Sequence, residues 1–416
     1  MRIWIPSRSL LFAGLRGHRP RRYSAVTSDV ERVNIRVGLS GDMTIDLHNV
    51  AKSSPQSPLL VYLPPFSTAF TNTPAKLPKF IQGQPTAVIN YRWHGFSPFG
   101  TRKGAAPAST GEPDKEEFFP ILTWPAPLHD VLIAYSWIVE NLRPDFDEKR
   151  DIYLYGSYLG ASLAMSLALT ESHIEEKIAV RGCIALNGIY NWTRFLPDHP
   201  FNNPPKPGSK QSSTSKTIVS RSNDPHFQEL KQHAEALFVS PSGLFDPFAS
   251  ATLFFYNPGL LVPPNFTTSA LSPGASFLAN ISLPNGVTGK STLILKHPRK
   301  HPLFFPPSTS GLEIPRTLLL YTKPSTLPPS SFYEYVGRKN EDSFQTQAQE
   351  LGWHMRSRTF EGMVNQEFPL NDAYHSWKDA ATGRFQVHNV GSSSRDYTLN
   401  SKGEELAAIW LEDHTS

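Results

Sequence analysis

Ser157, His375 and Asp372 are the hydroxyl, imidazole and carboxylate from which this chain could assemble a nucleophilic site. A serine attacks an ester when a base takes its proton and an acid orients that base. His375 and Asp372 stand in a polar stretch, where a surface histidine is the plainer reading, and that reading is preferred. His297 and His301 are four apart, a spacing that suits metal on a helix. Pro298 and Pro302 oppose a helix there, so no metal is assigned. Cys183 is the one cysteine, which excludes an internal disulfide framework. It lies in the apolar run Gly182-Cys183-Ile184-Ala185-Leu186 and reads as inert core, since a reactive thiol needs an electropositive, partly exposed setting. No separate glycine-rich phosphate loop appears, and no cofactor is assigned.

Any such site must be held by strands and helices that the sequence marks out. Runs at 33–37 and 43–47 flank Ser40-Gly41-Asp42 and predict an antiparallel hairpin. Further strands are predicted at 59–63, 86–91, 151–155, 179–186, 316–321 and 354–360. Their β-branched and aromatic content, with little alternation, suits parallel strands covered on both faces. Leu128, Val131, Leu132, Tyr135, Ile138, Val139 and Leu142 recur at helical spacing. A second helix is expected after Gly156, with Gly160, Ala164 and Ala168 as a small-residue stripe that permits close approach to strands. Leu406, Ile409 and Trp410 predict a terminal helix. Strand and helix in repetition imply a parallel sheet with right-handed crossovers. From about 190 to 311 the rhythm breaks, and this stretch is expected to form an irregular cap. Within it, 197–225 is rich in Pro, Ser, Asn and Lys and is expected to be poorly ordered, whereas 244–264 is apolar and aromatic and is expected to pack.

Asn90-Tyr91-Arg92, Phe96-Ser97-Pro98-Phe99, Pro125 to Leu132 around Asp130, and Tyr135-Ser136-Trp137 together resemble the hormone-sensitive-lipase-like branch of α/β-hydrolase carboxylesterases. The similarity covers 58–190 well and 315–365 loosely. It implies an α/β-hydrolase fold: a mostly parallel central sheet, helices on both faces and a cap insertion. It also implies where catalytic groups belong. The family nucleophile is the middle residue of Gly-x-Ser-x-Gly, on a turn too tight for large flanking residues. This chain reads Gly156-Ser157-Tyr158-Leu159-Gly160, so the glycine frame puts Tyr158 at the nucleophile position and Ser157 one place early. The acid position falls on Ser325, past the strand at 316–321, and the base position on Asn365, past the strand at 354–360. The family's oxyanion loop is glycine-rich so that backbone N–H groups face the oxyanion. Here it reads Leu63-Pro64-Pro65-Phe66, and proline has no N–H.

The 416 residues carry a formal net charge of +4, which misleads. Six arginines (Arg2, Arg8, Arg16, Arg19, Arg21, Arg22) lie in the first 23 residues, and the first acid is Asp29. Without them 34 basic residues face 36 acidic ones, a net of −2, so the body offers no basic footprint for nucleic acid. The Arg-rich, acid-free start reads as a mitochondrial presequence, residues 1–23, cut after Tyr23. A secretory signal ranks below it because Arg8 breaks the apolar run; the sequons at Asn191, Asn265 and Asn280 matter only in that case. No transmembrane helix is expected. The expectation is therefore a mitochondrial matrix protein, residues 24–416 forming one α/β-hydrolase-like domain, that has kept the fold and lost the chemistry. It would bind an unidentified protein partner or an apolar small ligand. The alternative is an active carboxylic-ester hydrolase with a site rearranged around Ser157 or His375.

Overall fold

The computed structural model describes residues 30–67, 74–93, 122–144, 148–196, 225–238, 240–256, 305–307, 310–323, 343–366, 379–392 and 397–415. Its frame is one eight-stranded sheet. In chain order the strands are β1 (Val30–Arg36), β2 (Asp42–His48), β3 (Leu59–Leu63), β4 (Thr86–Asn90), β5 (Arg150–Ser157), β6 (Ile178–Leu186), β7 (Arg316–Lys323) and β8 (Phe385–Ser392). They lie side by side in the order β1-β2-β4-β3-β5-β6-β7-β8. β2 is antiparallel to both β1 and β4, and the remaining pairs are parallel. The helices that concern us are α1 (Ala126–Asn141), α2 (Leu159–Glu171), α3 (Pro225–Leu237), α4 (Ser343–Gln366) and α5 (Ser401–Thr415).

The central strands are apolar on both faces because both faces are covered. Every residue of β3 and β4 is buried. On one side Leu59, Val61, Leu63, Ile152, Leu154 and Ala185 join a core with α1, α2 and α4. On the other, Leu60, Tyr62, Tyr153, Tyr155 and Ile184 pack against Ala407, Trp410 and Leu411 of α5. α2 is buried along its length from Leu159 to Leu169, which explains why its apolar residues show no one-sided periodicity.

A buried ion pair ties the antiparallel edge to α1. Arg92, just past β4, donates through Nε to Asp130 Oδ2 at 2.9 Å and through Nη2 to Oδ1 at 2.7 Å. Its backbone N–H also donates to Oδ2 at 2.8 Å, and Nη2 donates to Ser40 Oγ in the β1–β2 turn at 3.0 Å.

The strand predicted at 354–360 is not one. Those residues lie inside α4. Phe344, Ala348, Leu351 and Met355 recur every three or four residues and are all buried, so a helical apolar stripe sets the structure there. The last strand is β8, an edge strand on which only Phe385 and Val390 are buried, so it carries little apolar signal. Between β6 and β7 the described residues form short 3₁₀ turns at Trp192–Phe195, Pro241–Phe245 and Ala251–Phe255, and α3. Of the stretch 197–225, expected to be poorly ordered, residues 197–224 lie outside the described residues and Pro225 opens α3; the amino-terminal segment 1–29 also lies outside them.

Candidate functional site

The chain reverses sharply between β5 and α2, and Tyr158 is the residue at the turn. Its φ of 49° and ψ of −110° are unusual for a side chain larger than glycine, and holding them costs about 1–3 kcal/mol. Two glycines make the turn possible. A Cβ on Gly156 would lie 2.5 Å from the Gly160 carbonyl oxygen. One on Gly160 would lie 2.1 Å from the Leu63 carbonyl oxygen and 2.4 Å from that of Pro64. The turn is fixed from outside as well: the Tyr158 N–H donates to the Leu186 carbonyl at the end of β6, at 2.8 Å.

Tyr158 is fully buried. Its ring stacks on Tyr397, with centroids 4.2 Å apart and planes 9° apart, and meets Phe66 at 5.6 Å and Phe344 edge-on at 6.2 Å. Its hydroxyl forms a short hydrogen bond with Nδ1 of His233, itself buried on α3. The other imidazole nitrogen lies 3.9 Å from the Glu229 carboxylate one turn back. Burial pushes the phenol's pKa well up, reinforced by Tyr397, Glu229 and Tyr91, so it stays protonated. A neutral, enclosed phenol suits holding a hydrogen bond better than attacking a carbonyl.

Ser157 is buried beside it, and its hydroxyl donates to the Tyr397 backbone carbonyl rather than to an imidazole. Ahead of the turn, Pro64 contributes a carbonyl that accepts from the Tyr91 hydroxyl at 2.7 Å. Neither Pro64 nor Pro65 has an N–H to donate in this loop. Asn187, after β6, bridges to Thr322 of β7: its Nδ2 donates to Thr322 Oγ1 and its Oδ1 accepts from the Thr322 N–H, both at 2.8 Å.

The acid position Ser325 and the pair His375 and Asp372 lie outside the described residues, as do His297 and His301. Asn365 requires correction. It sits near the end of α4, ahead of the last strand, so a base position counted past the last strand cannot fall on it. The described residue nearest after β8 is Tyr397, with φ 51°, and its ring covers Tyr158. Cys183 is buried, and burial pushes its thiol pKa up, as an inert core cysteine requires. Asn191 is buried too and gives no surface for a glycan. Among the described residues no three His, Cys, Asp or Glu side chains gather to hold a metal ion.

The sequence reading missed His233 and Tyr397. His233 had a signal: Leu230, His233, Ala234 and Leu237 recur at three and four residues and form the buried face of α3, between exposed Glu229, Gln232 and Glu235. Tyr397 had none, because its place over Tyr158 depends on where β8 ends.

The strand order, the lone antiparallel β2 among the strands after β1, and the tight turn at Tyr158 define the α/β-hydrolase fold. Among the solved structures that the chain is similar to are esterases. A carboxyl esterase from the fungus Tuber melanosporum is 12% identical, with 96% of this chain and 89% of that chain covered and a TM-score of 0.43. EstE1, a thermostable carboxylesterase cloned from a metagenomic library, is 12% identical over 94% and 90%, with a TM-score of 0.46. An esterase from the archaeon Pyrobaculum calidifontis is 11% identical over 95% and 84%, with a TM-score of 0.42. At such values the likeness carries no chemistry across, and the fold assignment rests on the topology itself. No family model and no curated protein matches the chain. No helix among the described residues is long and apolar enough to cross a membrane.

Proposed function

We propose that this chain uses an α/β-hydrolase fold as a binding or assembly scaffold in the mitochondrial matrix and does not hydrolyse esters. The observation that carries the reading is Tyr158: the residue at the nucleophile turn is a buried phenol, stacked on Tyr397 and hydrogen-bonded to His233. An ester needs a reachable nucleophile and donors for its oxyanion, and this turn offers neither. The partner is a protein or an apolar ligand.

Full-length protein treated with a fluorophosphonate probe is expected to take up no label. Labelling at a single serine that disappears in Ser157→Ala would overturn the proposal and establish the rearranged hydrolase instead.

The matrix location rests on the Arg-rich, acid-free start of the chain. A reporter fused behind residues 1–30 is expected to enter mitochondria. Import that survives replacing Arg16, Arg19, Arg21 and Arg22 with glutamate refutes the targeting role.

A further inference from the structure

α3 is held along one face, on which Leu230, Ala234 and Leu237 are buried in the core. At its carboxyl end the Leu237 carbonyl accepts from the Trp93 indole at 3.2 Å and from the Trp124 backbone N–H at 3.3 Å. Phe238 follows and packs against Trp93, Trp124 and Trp192, with centroids 5.7, 5.7 and 5.4 Å away. One turn upstream the same face adds a polar attachment between Leu230 and Ala234: the His233 imidazole reaches the Tyr158 hydroxyl at the turn. Four rings of the nucleophile cleft, Phe66, Tyr158, Phe344 and Tyr397, contact one another beneath this point.

We propose that the Tyr158–His233 hydrogen bond is a latch that holds α3 shut over the former acyl site, with the Leu237–Phe238 anchor as its hinge. The side chain standing where a nucleophile would react instead closes the cover. With the latch made, α3 screens the aromatic cluster. With it broken, α3 swings about its anchored end and uncovers an apolar floor bearing one phenol hydroxyl. That floor suits an apolar ligand or side chain with a single polar group. The inference rests on the proposed absence of acyl chemistry at Tyr158 but is tested separately, since labelling reports on that chemistry and amide exchange reports on the latch.

The test is hydrogen exchange by mass spectrometry on the full chain. Tyr158→Phe keeps the ring stack and deletes the hydroxyl. Loss of a hydrogen bond of ordinary net strength should speed exchange across α3 about tenfold. Exchange in β6 should not change. His233→Phe should give the same rise, and the double variant no more than either single one. If Tyr158→Phe does not fold, His233→Phe alone carries the comparison. Unchanged α3 exchange in the folded variants, an equal rise in β6, or additive effects in the double variant would each overturn the latch.

Discussion

Gly160→Ala is expected to destabilise the fold by about 3 kcal/mol or more, at or beyond the upper end of ordinary overpacking. The added methyl would lie 2.1 Å from the Leu63 carbonyl oxygen and 2.4 Å from that of Pro64. Both are backbone atoms, so no side-chain rotation relieves the clash. β3 is buried and paired on both edges, with β4 and β5, so it cannot retreat. Only α2 can move, and α2 is itself buried along most of its length. Against a total stability of about 5–15 kcal/mol that is a large share, and the unfolding midpoint should fall accordingly. Gly362 is the control: a methyl there meets open space on an exposed turn of α4. Guanidinium unfolding of both variants checks this, and a parental midpoint for Gly160→Ala would contradict the close approach at the turn.

Asp130→Ala should be comparably damaging, at about 3–5 kcal/mol, because it strands a buried guanidinium. The Arg92 and Asp130 side chains are 4% and 0% exposed, so water cannot replace the lost carboxylate. Three hydrogen bonds to Asp130 disappear together, including one from the Arg92 backbone. Replacing both partners, with Arg92→Met and Asp130→Leu, should recover much of the loss, since no charge is then buried alone. A loss below about 1 kcal/mol in urea unfolding of Asp130→Ala would place the pair among weak surface bridges.

Much of this fold was legible because its elements are locally decided. The β1–β2 turn carries Ser40-Gly41-Asp42, α1 carries an unbroken helical period, and β3, β4, β6 and β7 are short apolar runs. The turn at Tyr158 was legible for a steric reason: two glycines in that frame leave only the residue between them to point outward from so tight a bend. The far side of the sheet was not. α4 mixes Trp353, His354, Arg356 and Arg358 among its apolar residues, and the segment 354–360 passed for a strand while the period from Phe344 to Met355 went unread. Mistaking α4 for the last strand moved the base position to Asn365. β8 escaped notice because an edge strand needs few buried residues. His233 lies 75 residues from Tyr158 along the chain, and no spacing within either segment announces that they meet.

The stacked ring at the turn also bears on how this lineage could change. A serine at position 158 would have to remove a fully buried phenol from among Phe66, Phe344 and Tyr397. Truncating a buried aromatic ring costs about 3–5 kcal/mol, a large part of what a domain of this kind has to lose. The product would be a weakened protein, with Pro64 and Pro65 still lacking N–H donors in the loop after β3. A Tyr158→Ser change is thus penalised in stability before any turnover could reward it, so stability selection alone suffices to keep the ring at the turn.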